Sequence, residues 1–107
     1  MSMFIRSAFW TGQPKLGQEN RLRDIIDKEL IPAIRGLPGV ADAKALWPTH
    51  FEDRSPDIFC QILIECASQD ELQRLLVCPE RAALRVRVTE ILGMFDGSLS
   101  HINYEAG

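Results

Sequence analysis

The stretch Asp57-Ile58-Phe59-Cys60-Gln61-Ile62-Leu63-Ile64-Glu65-Cys66-Ala67 constrains this chain more than any other. Side chains of an extended segment alternate between two faces. Ile58, Cys60, Ile62, Ile64 and Cys66 therefore share one side, and Phe59, Gln61, Leu63 and Glu65 the other. One fully apolar face and one mixed face describe a central strand with its apolar side under helices. At 107 residues the chain is long enough for one domain around such a strand and too short for two, so residues 1–107 are taken as a single unit.

The flanking segments supply its neighbours. Met3 to Trp10 alternates as a strand, and Thr11 to Gly17 is rich in turn formers. From about Gln18 the period becomes helical: Leu22, Ile25, Ile26, Leu30, Ala33, Ile34 and Leu37 recur on one side. Pro32 should loosen the last turns, since it lacks a donor and crowds the carbonyl of Lys28. Gly36 is expected to stop the helix in a left-handed conformation. Val40 to Trp47 reads as a second strand, and Pro48 to Pro56 as a long polar loop that could act as a lid. After the central strand, Ser68-Gln69-Asp70-Glu71 forms a capping box for a short helix carrying Leu72, Leu75 and Leu76. Pro79 breaks that helix and suits the first turn of another, with Ala83, Leu84, Val88, Ile91, Leu92 and Phe95 on its buried side. Ser98 to Glu105 closes the chain as a last strand, either face of which could be inward.

The order strand, helix, strand, strand, broken helix, strand predicts an α+β, ferredoxin-like βαββαβ fold with an antiparallel sheet. The third strand then lies beside the first, with both helices on one face. The mixed face is left bare, and Phe59 and Leu63 on it call for a partner; the simplest is a second copy, giving a homodimer through the sheet face.

Composition removes whole classes of function. A net charge of −3, with no basic block, argues against nucleic acid. The longest apolar runs fall short of the ~20 residues of a membrane helix, and the opening residues lack a signal-peptide pattern, so a soluble, cytoplasmic protein without a membrane partner is expected. Three cysteines without C-x-x-C spacing point to small buried hydrophobes in a reducing compartment rather than a metal or redox site. No metal cluster, Ser-His-Asp order or cofactor fingerprint is legible, and none is expected.

At its turns the chain resembles the dimeric α+β barrel superfamily, and within it the ethyl tert-butyl ether degradation (EthD-like) family. That family carries a His-x-Pro-Leu segment on its first helix, followed at a fixed distance by Leu-Pro-Gly; Pro32 and Leu37-Pro38-Gly39-Val40 stand at that separation. Its second helix often opens with Pro-Glu and closes near Phe-Asp, as Pro79-Glu80 and Phe95-Asp96 do here. The resemblance implies two sheets paired into one barrel. It also implies a pocket for a hydrophobic or aromatic small molecule, with isomerase, cyclase or monooxygenase-type activity that uses no tightly held cofactor. A noncatalytic accessory or binding subunit of a degradation pathway is the alternative. The family's histidine position is Leu30 here, and the His-Pro-x-His segment of related cyclases is Cys78-Pro79-Glu80-Arg81. Leucine and arginine cannot exchange protons at neutral pH as an imidazole can.

Six residues are candidates for a ligand site between helices and sheet, under the 48–56 loop. Cys60 would form its floor, Trp47 and Tyr104 its walls, and Arg81, His50 or His101 its polar groups. Each has a plainer alternative. His50 could be a solvated loop residue, His101 a structural histidine, Arg81 a surface partner of Glu80 or Asp70, and Trp47 a core or interface residue. His101 and Tyr104 sit at opposite parity, so both need not face the pocket.

Overall fold

The computed structural model describes residues 3–53 and 57–107. The expected end of the polar loop, Arg54-Ser55-Pro56, lies outside the described residues. Four strands, β1 (Met3–Pro14), β2 (Asp42–Leu46), β3 (Ile58–Cys66) and β4 (Phe95–Ala106), form one sheet in the order β2-β3-β1-β4. All neighbouring pairs are antiparallel. Between β1 and β2 run α1 (Glu19–Ile25), a π-helical turn (Ile26–Leu30) and α2 (Ile31–Arg35); α3 (Gln69–Val77) and α4 (Pro79–Leu92) lie between β3 and β4. This is the ferredoxin-like βαββαβ arrangement, with β1 running four residues further than its alternation indicated.

Local chemistry sets most boundaries. The Ser68 hydroxyl accepts from the Glu71 N–H at 3.2 Å and caps α3, while the Glu71 carboxylate turns to Arg74 at 3.6 Å instead of reaching back. Pro32 does not kink the first helix outright. The turn before it widens, with the Ile31 N–H donating to the carbonyl of Ile26, which gives room where the proline ring would crowd Lys28. Gly36 ends α2 in a right-handed conformation (φ −83°); the left-handed residue is Gly39 (φ +86°), where a Cβ would strike the carbonyl oxygen of Glu71. The connection before β2 is thereby pressed against α3.

Register decides which side chains meet the helices. Ala8 pairs with Ile62 and His101, and Trp10 with Cys60 and Leu99. Directly opposed residues share a face, so Arg6, Ala8, Trp10, Cys60, Ile62, Ile64, Leu99 and His101 all look toward the helices. The core beneath them joins Leu22, Ile26, Leu30, Leu72, Leu75 and Ile91.

Strict alternation fails at one place. Trp10 pairs with Cys60 but Thr11 with Ile58, so Phe59 is an extra residue, a β-bulge. The bulge moves Phe59 off the bare face. Its ring meets Trp47 at 5.3 Å and Phe95 at 5.8 Å, and Phe95 in turn meets Trp10 edge-on at 5.6 Å. Ile58, expected among the inward residues, pairs with Thr11 on the opposite side from Cys60. Ala83, expected on the buried side of α4, is exposed.

The other face of the sheet has no helix. Ser7 is fully buried there between its cross-strand partners Leu63 and Ile102, and accepts from the Gln61 amide at 3.0 Å. Around that small polar centre lie Ile5, Phe9, Leu63, Leu46, Ile102 and Tyr104, the last three 40%, 46% and 41% exposed.

Candidate functional site: an apolar cavity with a cationic end

Helix α4 stands off the sheet. Along its 14 residues only Ile91 is buried, although Leu84, Val88 and Leu92 also turn inward. The space left is a cavity of about 440 Å³. Ala8, Ile62 and Ile64 of the sheet lie on one side, and Leu30, Ile34 and Leu84 of the helices on another. Ala8 helps explain the gap, since a small side chain leaves unfilled what a larger one would close. Ligand pockets typically have volumes of about 300–1,000 Å³ and largely apolar walls with a few placed polar groups.

The polar groups here are of one kind. Arg6, Arg81, Arg85 and His101 line the cavity, with Thr89 beside them. Arg6 is half-buried and donates from Nη1 to Oδ1 of Asn103 at 2.9 Å. Arg81 donates from Nη1 to the carbonyl of Leu76 at 3.1 Å, which tethers it to the last turn of α3 rather than to Glu80 or Asp70. Four of its five N–H donors stay free of protein partners among the described residues. Burial lowers the pKa of Arg6, and the charges of Arg81 and Arg85 lower it further. Burial, then Arg6, Arg81 and Arg85, hold His101 down to about 4. Its imidazole is therefore neutral at pH 7. Trp10, which also lines the cavity, is fully buried, and its indole N–H has no hydrogen-bond partner among the described residues.

Of the six candidates, the fold brings together two, Arg81 and His101. Tyr104 takes the opposite parity on β4 and sits on the bare sheet face. Trp47 is outside the cavity lining. Its Nε1 donates to Asp27 at 3.3 Å and its ring lies 4.4 Å from the Arg23 guanidinium, so it fastens the end of β2 to α1. Cys60 is buried near that aromatic cluster, not on the cavity floor. Burial first and the Asp27 charge second push its thiol up to about 12, so it carries no thiolate at neutral pH. His50 is exposed, and none of residues 48–53 lines the cavity. Cys66 and Cys78 are buried free thiols, and Cys78 Sγ donates to the Leu75 carbonyl at 3.2 Å.

Arg6 and Arg85 escaped the sequence reasoning, though each left a trace. Arg6 interrupts the face Phe4, Ala8, Trp10, which is otherwise apolar. Arg85 follows Arg81 by four residues, one helical turn along the same stripe.

Comparisons with known proteins were made by family model, by sequence and by structure. No family model matches the chain, and no curated protein matches it in sequence. Solved structures do. An EthD family protein from Bacillus halodurans c-125 superposes with a TM-score of 0.76 at 14% identity, covering 98% of this chain and 99% of that one. A dimeric protein of unknown function and ferredoxin-like fold from Bacteroides fragilis NCTC 9343 gives 0.66 at 13% identity, over 96% and 95%. A monooxygenase of Streptomyces coelicolor, from the gene ActVA-Orf6, solved in complex with Nanaomycin D, gives 0.64 at 16% identity, over 99% and 88%. The resemblance read from the turns thus finds its counterpart in three dimensions: the chain has the ferredoxin-like fold of the EthD protein and of these dimeric and ligand-binding structures.

Proposed function

We propose that this protein binds a hydrophobic or aromatic small molecule in the cavity between α4 and the sheet, and does so as a homodimer joined through the bare sheet face. One observation carries the binding role: a helix of 14 residues held off its sheet over about 440 Å³ of apolar-walled space, with polar groups gathered at one end. A protein whose pocket had been filled by its own side chains would show α4 packed down. A structural neighbour, a monooxygenase solved in complex with Nanaomycin D, supports small-molecule binding as a role for this fold. The dimer rests on the exposed Leu46, Ile102 and Tyr104 around the buried Ser7 centre, and on the dimeric description of a structural neighbour.

Catalysis, whether isomerase, cyclase or monooxygenase in type, would fall to His101 as the proton acceptor. With a pKa of about 4 it is a weak base in the free protein. A general base works best when its pKa is near the working pH. The free protein is accordingly better suited to binding than to proton abstraction, which favours the accessory-subunit alternative until a bound ligand raises that pKa.

The test uses Trp10 as a reporter. In a Trp47→Phe variant, Trp10 is the only tryptophan. Planar aromatic compounds should change its fluorescence saturably, and Leu84→Trp, which fills the cavity, should abolish their binding in calorimetry. Equal binding by the filled variant would refute the assignment.

A further inference from the structure

We infer that the occupant of this cavity is an organic anion, an apolar body bearing a carboxylate or phenolate that docks among Arg6, Arg81, Arg85 and His101. The inference rests on the small-molecule role proposed above and names the chemistry of its ligand.

The charge pattern of the chain carries it. The protein is acidic, yet three guanidiniums line one cavity without a counter-charge. Elsewhere five cations are paired, Arg35 with Asp42, Arg74 with Glu71, Arg87 with Glu29 and Glu90, Lys28 with Asp24 and Lys44 with Glu65, while Lys15, Arg21 and Arg23 form no ion pair among the described residues but stand outside the cavity rather than together in it. None of Arg6, Arg81 and Arg85 has an ion pair among the described residues. The carboxylates nearest in sequence on β4 and α4, Glu105 and Glu80, are both exposed and form none with them. Like charges brought together repel: Arg85 is exposed, but Arg81 and Arg6 are half-buried, and the Arg6 guanidinium is destabilised by burial first and then by the other two charges. Folding alone gives no reason to hold them there. A bound anion would remove the repulsion, and arginine forks match the two oxygens of a carboxylate.

Geometry sets the size of the ligand. Arg6 and Trp10 are the outermost β1 residues of the cavity lining, on the same face of the strand, four residues and so roughly 13 Å apart. An anion at Arg6 therefore leaves room for two fused rings, or a chain of comparable length, reaching toward Trp10 along Ala8.

Matched acid and amide pairs test this directly. The probes are 2-naphthoate against 2-naphthamide and decanoate against decanamide, with inorganic phosphate as a bare anion, measured by calorimetry at pH 7 and low salt. Each carboxylate should bind about tenfold or more tighter than its amide, and phosphate much more weakly than either carboxylate. Arg85→Gln, whose side chain makes no hydrogen bond among the described residues, should cut the preference severalfold, lowering carboxylate affinity much more than amide affinity. Arg81→Gln should do the same, with Arg81→Lys restoring part of it, and Arg21→Gln outside the cavity should do nothing. Amides that bind as well as acids would overturn the anion while leaving the cavity role intact. So would a preference that survives both arginine changes. Phosphate binding as tightly as naphthoate would overturn the apolar body. Failure of all four organic probes to bind would take the cavity role and the anion down together.

Discussion

Replacing Phe59 by alanine should destabilise the protein without dissociating it, because the bulge in β3 turns this ring into the core. Phe→Ala at a fully buried site costs about 3–5 kcal/mol. Phe59 is only half-buried, so roughly half of that, about 2 kcal/mol, comes from lost packing. Two edge or tilted contacts, to Trp47 at 5.3 Å and Phe95 at 5.8 Å, add about 0.5–1.5 kcal/mol each. The total is about 3–5 kcal/mol, a fall in Tm of roughly 12–20 °C for a domain of this size. Thermal and urea unfolding at fixed protein concentration would measure it, since dimerisation makes stability depend on concentration. Sedimentation velocity on the same samples should still show the proposed dimer. Strict alternation places Phe59 on the outer face instead, and then the opposite pattern follows: a loss below about 1 kcal/mol together with a shift toward monomer. That result would refute the bulge as the reason for the aromatic cluster.

Three further outcomes follow from the same structure. Ile102→Glu puts a charge on the bare sheet face, beside Ser7, and should convert a dimer to a folded monomer in light scattering, with far-UV circular dichroism unchanged; a dimer that persists would place the interface elsewhere. Gly39→Ala and Gly17→Ala both force a side chain into a left-handed backbone (φ +86° and +79°), yet only Gly39 has a carbonyl where the Cβ must go. Gly17→Ala should cost about 1–2 kcal/mol and Gly39→Ala clearly more, so equal losses in urea unfolding would contradict that close approach. His101, held to about 4 in the folded chain against an ordinary 6.5, binds its proton more readily unfolded. Its contribution therefore makes stability fall as pH drops from about 6.5 to about 4, with no effect above that window; His101→Asn should flatten that part of the profile, and an imidazole titrating near 6.5 by NMR would refute the cationic surroundings.

Most of the fold was legible because it rests on short-range rules. The period of two in residues 58–66, the helical period from Gln18, the Ser68 cap and the break at Pro79 each act within a few residues, and all reappear as elements of the structure. The errors came where tertiary contact overrides the local rule. Phe59 left its alternation because Trp47 and Phe95 offered it an aromatic pocket, and Gly39 rather than Gly36 took the left-handed turn because α3 lies against it. No single-strand pattern contains either fact.

The site was harder to read because it depends on two registers at once. His101 faces the helices only because β4 pairs Ala8 with His101 and Trp10 with Leu99; a slip of one residue would bring Ile102 and Ser100 inward and send His101 to the bare sheet face. Arg81 and Arg85 face the cavity only because α4 is rotated to aim Leu84, Val88 and Leu92 at the sheet without packing on it. Neither register is fixed by local sequence, since β4 alternates weakly and α4 has charged and apolar residues mixed around its circumference. Arg6 alone could have betrayed the site, as a charge on an inward strand face has to be answered by something. Among the described residues the answer is one amide oxygen, that of Asn103. The remaining guanidinium donors of Arg6, together with those of Arg81 and Arg85, are what a bound anion would complete.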